Sequence, residues 1–436
     1  MSPYEQIVRQ AEQHLANKDY QRALDLYDLA LTTNPDDLHL RYCVASLYSE
    51  LYKSGIAISI LRGVVKEAPN HPQAWNNLGI AYKNSGQWRP AYDAYMKALE
   101  LNYDASVLVN MSGLYINNGT PDEAVKWAEK GLKLDPSLPQ LKNHRALGKL
   151  ERGEFEEGFK LYDGRFQLPG WSDRKYSGPI WDGSPVKKLL IHGEQGLGDE
   201  ILFMTAIDRV RDRADEIILE CATRLVPIFE KSLGLKCYGT ADEVKAKETW
   251  DAWIPMGSLF SRVGFEQKAP YLKVTKPYPK GERFRIGVSW RGGTVQTHEH
   301  LRNAPIEVWM PLFTHDAEFV SVQYGPASGM AQKMGIPHDQ EAIDDFERLT
   351  GLIGSCDLII SVANTAVHQA AAIGTACWCL VPSRPSWQFQ MSGNKMPFYQ
   401  VPEMIRQELD EDWSSVIQRV KVKLESIGIS ERRAAA

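Results

Sequence analysis

The stretch AWNNLGIAYKNSGQWRPAYDAYMKALEL, residues 74–101, places small and aromatic residues at positions that recur along the first third of the chain. Alanine recurs after 34, 34 and 33 residues, at Ala23, Ala57, Ala91 and Ala124. Proline recurs near the same spacing, at Pro35, Pro69 and Pro136, with Tyr103 standing where a further proline is expected. A period of about 34 residues indicates an array of similar structural units rather than one globular core.

Each unit has the composition of two packed helices. Small residues such as Gly79 and Ala91 let paired helices approach closely, aromatic residues fill the space between pairs, and a proline ends the second helix. Four units in register are typical of tetratricopeptide repeats. A fifth, degenerate pair is expected at residues 147–166, where Gly158 stands 34 residues after Ala124. The sequence therefore predicts an all-α solenoid with a capping repeat over residues 1–166.

The overall composition favours a soluble protein of two or three domains. Hydrophobic residues make up 43% of the 436 residues, charged residues make up 24%, and the net charge is −5. This charge does not favour nucleic acid or an anionic membrane as partner. The start, MSPYEQIVRQ, has no apolar signal segment, no stretch approaches the roughly 20 apolar residues of a membrane helix, and the six cysteines are scattered. We therefore expect a cytoplasmic protein without a membrane span.

Beyond the repeats, short apolar runs alternate with helical windows. Residues 167–187 are rich in Pro, Gly and Ser and are predicted to be a linker. The apolar runs are KLLIH (188–192), EIILEC (216–221), DAWIP (251–255), RIGVSW (285–290), FVSVQ (319–323), DLIISV (357–362) and ACWCLVP (376–382). Strands that alternate with helices indicate parallel sheets covered on both faces. The sequence predicts two Rossmann-like lobes, residues 188–280 and 281–430, with a cleft between them.

The turn after the first strand, HGEQGLGDEILF (192–203), is acidic as well as glycine-rich. Its glycines have neither the dinucleotide-binding order nor the P-loop order, and its three carboxylates would repel a phosphate. Asp199 is predicted to lie near a helix N-terminus, where the helix dipole favours the ionised form, so it is the candidate base. Glu194 and Glu200 are expected to be solvated, with Glu194 as a reserve base. The alternative is that Asp199 only caps the helix.

The second lobe supplies candidate anion-binding residues. Arg291 follows the strand RIGVSW directly, and Arg302 lies in HEHLRNAPIEVW (298–309). Asn364 or Thr365 can cap the helix that follows DLIISV, so that free amides and a nearby arginine form an anion site. His368, one turn into that helix, could hydrogen-bond a phosphate or a ribose. The alternatives are that Arg291 pairs with a surface carboxylate and that His368 is a core residue.

The order of these motifs resembles a known architecture. HGEQGLGDEILF, IGVSWRGG with LRNAPIEVW, FVSVQYGP and the segment DDFERLTGLIGSCDLIISVANTAVHQAAAIGTACWCLVPSRPSWQF resemble bacterial tetratricopeptide-repeat proteins with a C-terminal glycosyltransferase region. That region is similar to the heptosyltransferase group of the GT-B fold, and the layout is similar to O-GlcNAc transferase and flagellin-modifying transferases. The resemblance covers nearly the whole chain. It implies inverting, metal-independent transfer from a nucleotide sugar, which is a substrate rather than a cofactor, with a nucleoside diphosphate as product.

The resemblance also implies roles for individual residues. Asp199 is implied to be the base, Arg291 to lie on the donor side, and His368 to meet the donor diphosphate or sugar. Gln323, at the end of FVSVQ, is expected to contact the nucleotide, and Trp387 is expected to close over the donor. Arg302 and the helix amides are expected to ease departure of the nucleoside diphosphate.

Two positions affect this interpretation. Similar sequences commonly read Ser-Val-Asp-Thr before the donor-side helix, whereas this chain has Ala363 at the position of the aspartate. The identity of the donor, or activity itself, is therefore open. The run Asp410-Glu411-Asp412 has the spelling of a metal-binding motif, but its place near the C-terminus predicts a helix start instead, and no metal site is expected.

The sequence favours a glycosyltransferase that acts on a hydroxyl of a macromolecular acceptor. The expected acceptor is a protein segment bound on the repeat face, and the repeats are also candidates for self-association. One rival is a non-catalytic repeat scaffold with a degenerate nucleotide-sugar site. A second is a transferase that acts on a modified nucleobase or a lipid-linked glycan, although the acidic net charge disfavours nucleic acid.

Overall fold

The computed structural model describes residues 2–168, 174, 176–293, 299–325 and 328–431, except for the side chains of His300 and Ser328. The chain divides between Gly148 and Lys149 into two compact units. In the described residues the first unit is helical, and the second combines helices with parallel sheets.

The N-terminal unit is built from pairs of helices. Their bounds are α1 Pro3–Ala16, α2 Tyr20–Thr33, α3 Leu38–Glu50, α4 Ser54–Glu67, α5 Pro72–Asn84, α6 Trp88–Leu101, α7 Ala105–Asn117, α8 Pro121–Leu134 and α9 Pro139–Glu151, the last of which continues past the division. α1 packs with α2, α3 with α4, α5 with α6, and α7 with α8. Pro35, Pro69 and Pro136 each stand two residues beyond the end of a second helix. These are the four helix pairs that the sequence predicts.

Close contact between paired helices explains the recurring small residues. Ala23, Ala57, Ala91 and Ala124 are fully buried. A Cβ added at Gly79 would lie 2.4 Å from the ring of Tyr95, so the packing of α5 against α6 requires glycine there. The alanine and glycine positions therefore mark the places where paired helices pack most closely.

The C-terminal unit contains two sheets in its described residues. The strands are β1 Val186–His192, β2 Ala214–Glu220, β3 Lys236–Tyr238, β4 Ala252–Pro255, β5 Arg285–Ser289, β6 Glu318–Ser321, β7 Leu358–Val362, β8 Cys377–Val381 and β9 Pro402–Arg406. The order is β3-β2-β1-β4 in the first sheet and β6-β5-β7-β8-β9 in the second. All of the described strand pairings are parallel.

Helices accompany both sheets. Their bounds are α10 Phe155–Tyr162, α11 Leu197–Phe203, α12 Ile207–Arg211, α13 Val226–Leu233, α14 Ala241–Lys247, α15 Leu259–Val263, α16 Glu299–Arg302, α17 Ser328–Lys333, α18 Gln340–Asp344, α19 Phe346–Gly354, α20 Thr365–Ile373 and α21 Trp413–Ser426. Strands β5, β7 and β8 are buried along their whole length, because a parallel sheet is covered on both faces. The seven apolar runs thus mark strands, which confirms a parallel-sheet α/β region. The sequence missed β3 and β9, which lie at sheet edges and are partly exposed.

The helices at the two ends of this unit are α10 and α21. The sequence assigns α10 to the capping repeat, and its side chains pack within the C-terminal unit, where the Phe155 and Phe159 rings lie 4.7 and 5.8 Å from that of Phe265. Asp412 caps α21 by accepting a 2.9 Å hydrogen bond from the Ser415 N–H, so the acidic run starts a helix as predicted. None of the helices described is both long enough and apolar enough to cross a membrane.

Candidate functional site

A cavity of about 540 Å³ lies in the C-terminal unit, at the ends of its strands. Its walls come from the segments that follow β1, β5, β6, β7 and β8, which is where ligands of parallel α/β sheets bind. The lining residues include Gln195, Gly196, Leu197, Gly198, Asp199, Gly293, Arg302, Tyr324, Ala363, Asn364, Thr365, His368, Ser386, Trp387, Gln388 and Phe389. The volume falls within the range of small-molecule sites.

Glycine in the first turn lets two helices meet at this cavity. Helix α11 begins directly after Gly196, and α20 begins at Thr365. A Cβ added at Gly198 would lie 3.0 Å from Cδ2 of His368 and 3.5 Å from Cα of Thr365. A larger residue at position 198 would therefore push the two helix starts apart and change the shape of the cavity.

Asp199 lines the cavity from the first turn of α11. Its Oδ2 accepts a 3.0 Å hydrogen bond from the Gly196 N–H, and its Oδ1 accepts one from the side-chain amide of Gln388. Burial raises the pKa of Asp199, and the hydrogen bonds from Gly196 and Gln388 and the charge of Arg302 offset this only in part. The backbone N–H at the helix start favours the ionised form as expected, but burial outweighs it, so the net shift of the pKa is upward.

Glu194 is buried in an ion pair rather than solvated. Arg165 donates from Nε to Glu194 Oε2 at 3.1 Å and from Nη2 to Oε1 at 2.5 Å, and the two side chains are 1% and 4% exposed. The Gly257 N–H donates to the same carboxylate at 2.6 Å. Glu194 therefore anchors the glycine-rich turn, and the expectation of a solvated reserve base is wrong. A buried carboxylate is held this way because a cation and further donors must replace its water.

Glu200 is also buried, which corrects the second expectation of a solvated carboxylate. Its Oε2 accepts a 2.9 Å hydrogen bond from the Ala222 N–H, and burial raises the pKa of Glu200 to about 7. The three acidic residues of the turn thus occupy three environments. Among them, Asp199 is the one that lines the cavity.

Arg302 rather than Arg291 supplies a guanidinium to the cavity wall. Burial lowers the pKa of Arg302, and the charge of Asp199 acts in the opposite direction. The Arg291 side chain is 42% exposed, lies 3.9 Å from the carboxylate of Glu299, and is absent from the described lining. The alternative of a surface pair therefore describes Arg291 better than a donor contact does.

Gln323 supports the turn after β5 instead of facing the cavity. Its Oε1 accepts hydrogen bonds of 2.9–3.0 Å from the Ser289 hydroxyl and from the N–H groups of Trp290 and Arg291. Its Nε2 donates to the carbonyls of Arg291 and Tyr324 at 3.2 and 2.9 Å. The side chain is 1% exposed, so the expected nucleotide contact is wrong. Its polar atoms are satisfied inside the lobe.

Asn364, one of the two caps that the sequence allows, is the residue that caps α20. Its Oδ1 accepts a 2.9 Å hydrogen bond from the Ala366 N–H, and its Nδ2 donates to the Ser289 hydroxyl and the Arg291 carbonyl at 2.7 and 3.0 Å. Thr365 is the first residue of the helix and is half-buried at the cavity wall. Asn364 thus fixes the helix start, and Thr365 presents it to the cavity.

His368 lines the cavity and is buried. Its Nδ1 lies 3.3 Å from the Tyr399 hydroxyl. Burial and the nearby charge of Arg302 lower the pKa of His368 to about 3, against a hydrogen bond with Gln388 that acts toward a higher pKa. The imidazole is therefore neutral at neutral pH, and it offers a hydrogen bond but no charge to a ligand.

Trp387 lines the cavity as part of a packed aromatic cluster. Its ring lies 5.6 Å from those of Phe159 and Phe398 and stacks on Phe203 at 6.4 Å. Packing of this kind makes Trp387 a fixed wall, and its closure over a donor stays a prediction. Ala363 also lines the cavity, at the position where the resemblance implies an aspartate. In the described part of the chain, no group of three or more His, Cys, Asp and Glu side chains could hold a metal ion.

Sequence reasoning missed two residues that organise this site. Gln388 carries no signal beyond its place in SRPSWQF, because an isolated glutamine fits any polar position. Arg165 ends the degenerate repeat, GEFEEGFKLYDGR, and only a buried partner distinguishes it from a surface arginine. Neither residue spacing nor composition in the sequence shows which carboxylate forms an ion pair with a given arginine.

Comparisons with known proteins agree with the helical part of this description. The tetratricopeptide repeat family matches residues 72–102 and again residues 105–138. The N-terminal unit therefore carries tetratricopeptide repeats. The crystal structure of TTC0263, a thermophilic TPR protein in Thermus thermophilus, matches 38% of this chain and 91% of its own, at 21% identity and a TM-score of 0.34.

One relative extends through both units. Protein FlbA of Caulobacter vibrioides is 25% identical over 449 residues, which cover 91% of this chain and 74% of that protein. The human Tetratricopeptide repeat protein 7A is 33% identical over 88 residues, or 20% of this chain and 10% of that protein. The likeness to FlbA thus includes the cavity-bearing unit, whereas the human protein shares a short segment.

Proposed function

We propose that this protein is a glycosyltransferase that moves a sugar from a nucleoside diphosphate sugar to a hydroxyl of a macromolecular acceptor. The observation that carries the proposal is the meeting of Asp199 and Arg302 in one cavity at the strand ends of two parallel sheets. A carboxylate that can accept a proton and a guanidinium that can hold an anion are the two groups that sugar transfer from a diphosphate needs. The motif order that resembles GT-B glycosyltransferases supports the same conclusion.

The donor diphosphate would bind at the start of α20. The positive end of the helix dipole favours an anion there, and Arg302 adds a positive charge at the same wall. The neutral His368 can add a hydrogen bond without changing the charge. Arg302 and the helix dipole would stabilise the negative charge that grows on the diphosphate as it leaves.

Asp199 would act on the acceptor. As the acceptor hydroxyl oxygen forms its bond to the anomeric carbon, its proton passes to the Asp199 carboxylate. The bond from the anomeric carbon to the diphosphate oxygen breaks at the same time, and the electron pair leaves with the nucleoside diphosphate. The raised pKa of Asp199 makes its carboxylate a stronger base than a solvated aspartate.

The repeats would bind the acceptor protein. A groove of about 630 Å³ lies among α4, α5 and α6, and apolar or aromatic residues such as Trp75 and Leu78 line it together with the charged Arg62, Lys66 and Asp93. An apolar lining with charged residues is the usual composition of a peptide-binding surface. This groove supports a protein acceptor over a small one.

The first experiment is a thermal-shift screen with a panel of nucleoside diphosphates and nucleotide sugars. A ligand that binds the native state raises the melting temperature by mass action. We expect one nucleoside diphosphate to stabilise the wild type, and we expect the Arg302→Met variant to lose most of that shift. The matching sugar nucleotide is then tested for release of its diphosphate with and without an acceptor. A panel without any shift would contradict the proposed donor site.

A non-catalytic nucleotide-sugar scaffold is the second candidate, and Ala363 favours it. The side chain of Ala363 lines the cavity and cannot make the polar contact of an aspartate. This candidate predicts a thermal shift with a nucleotide sugar but no transfer or hydrolysis. If Ala363→Asp then gains turnover, the missing carboxylate explains the inactive site.

A further inference from the structure

We infer that Gln388 is a positioning residue that holds the Asp199 carboxylate in place from the segment that follows β8. The inference rests on the proposed function, in which Asp199 is the base. Gln388 lies in the short 3₁₀ turn Trp387–Phe389 that follows β8, whereas Asp199 lies on α11, which follows β1. The contact therefore joins the segments that extend from the two sheets.

The two oxygens of the Asp199 carboxylate accept hydrogen bonds from donors in two different segments. The Gln388 Nε2 donates to Oδ1, and the Gly196 N–H donates to Oδ2. Two donors on opposite oxygens fix the rotation of the carboxylate plane. A carboxylate oxygen has two lone pairs, so one on each oxygen stays available to an incoming hydroxyl.

The direction of the Gln388 amide follows from its neighbours. An ionised carboxylate only accepts, so Gln388 presents its NH₂ group to Asp199 and its carbonyl oxygen to the other side. The His368 imidazole lies near this amide, since a hydrogen bond with Gln388 acts to raise the pKa of His368. Nδ1 of His368 lies 3.3 Å from the Tyr399 hydroxyl.

A neutral amide suits this task better than a charged group. A lysine or an arginine would lower the proton affinity of Asp199, and a second carboxylate would compete for the same proton. Gln388 is 8% exposed, so the surrounding protein limits the movement of its amide. The charged and titratable groups that act on Asp199, or on which Asp199 acts, are Arg302, Glu194, Glu200, Tyr162 and Tyr399.

The test uses the full chain with Gln388→Met, which keeps the length of the side chain and removes the amide. We expect kcat to fall by roughly tenfold to a hundredfold, because a hydrogen bond to a charged group is lost. The acid limb of the pH–kcat profile should move to higher pH, since burial would then raise the pKa of Asp199 with less opposition. The donor dissociation constant should stay within about twofold, because Gln388 acts on Asp199 and not on the donor. A general structural defect would instead change donor binding as well.

Two further variants sharpen this test. Gln388→Glu keeps the shape and should move the acid limb further than Gln388→Met does, because a second carboxylate faces Asp199. Gln390→Met makes the same change two residues later, where the amide donates to the Leu150 carbonyl at 2.9 Å, and it should leave the acid limb in place. An unchanged kcat and an unchanged acid limb in folded Gln388→Met would overturn the inference.

A direct titration separates this inference from the proposed function. The pKa of Asp199 can be followed by NMR of the carboxyl carbon in aspartate-labelled protein, with its signal identified by loss in Asp199→Asn. We expect a higher pKa in Gln388→Met than in the wild type, and equal values would overturn the positioning role. If the wild type turns over no donor in the panel, the proposed function fails, while this titration still decides the role of Gln388.

Discussion

The turn after β1 and the turn after β7 both place the start of a helix at the cavity, but one is held by an ion pair and the other by neutral hydrogen bonds. Each follows a buried parallel strand and starts a helix at the cavity. The first is held by charges, since Glu194 pairs with the buried Arg165. The second is held by neutral groups, since Asn364 bonds to Ser289 and to backbone.

Because the two turns differ in charge, one cavity can hold both the proposed base and the proposed anion site. The charged turn brings the carboxylate of Asp199 to the wall, and its second carboxylate is neutralised inside the protein by Arg165. The neutral turn places no negative charge beside the start of α20, where the helix dipole favours an anion. If the charged residues stood in the second turn instead, a carboxylate would lie beside the proposed diphosphate site and would repel the diphosphate.

The largest expected effect comes from removal of the base in the charged turn. Asp199→Asn should lower transfer by roughly 10²–10⁴-fold, because general base catalysis contributes about that much. The affinity for the nucleoside diphosphate should persist, as measured by calorimetry. Asp412→Asn is the matched control, since it makes the same change at another helix start and asparagine also caps helices. Full turnover by Asp199→Asn would assign the charged turn a structural role only.

The second effect is on stability and tests how each turn is held. Arg165→Met should lower the free energy of unfolding by about 3–5 kcal/mol, because Glu194 would stay buried without its cation. The double variant Arg165→Met/Glu194→Leu should recover much of this loss. Asn364→Ala in the neutral turn should cost about 0.5–2 kcal/mol. Chemical unfolding measures all three, and equal losses for Arg165→Met and Asn364→Ala would erase the proposed contrast.

The third effect separates the two arginines of the second lobe. Arg302→Met should weaken nucleoside diphosphate binding by roughly tenfold to a hundredfold, because a charged hydrogen bond to the anion is lost. Arg291→Met should change it by less than about threefold, since its side chain is 42% exposed and faces Glu299. Titration calorimetry at fixed ionic strength makes the comparison. A larger loss for Arg291→Met would return the anion site to the turn after β5.

The smallest effect concerns pH and the buried Glu200. Its pKa of about 7 in the folded protein lies above the ordinary value, so the native state binds the proton more tightly than the unfolded chain does. Its contribution to stability is present at low pH and is lost as the pH rises from about 4.5 to about 7. Glu200→Gln should therefore gain about 1–3 kcal/mol relative to wild type between pH 4.5 and pH 8. A difference that does not vary with pH would show that Glu200 does not titrate in this range.

The sequence by itself determined the architecture. The 34-residue spacing of buried alanines predicted four helix pairs, and the seven apolar runs predicted parallel strands, because both patterns follow from local geometry and burial. It also predicted a cap at Asn364 or Thr365, which the structure assigns to Asn364, and it placed Asp199, Arg302 and His368 beyond strand ends that line one cavity. The edge strands β3 and β9 were missed, since a partly exposed strand has no continuous apolar run, whereas β4 and β6 at the other two edges are more buried and were predicted.

Only the tertiary structure decided which polar side chains face the cavity. Glu194 and Asp199 stand five residues apart in one turn, yet one is buried against Arg165 and the other lines the wall. Gln323 and Arg291 had the positions of ligand contacts, but their hydrogen bonds and ion pair are made within the protein. A polar residue's partner is set by segments far away in sequence, and burial raises or lowers its pKa according to those partners. Local pattern fixes where a strand ends, but the direction of each side chain beyond that end depends on the packing of the whole unit.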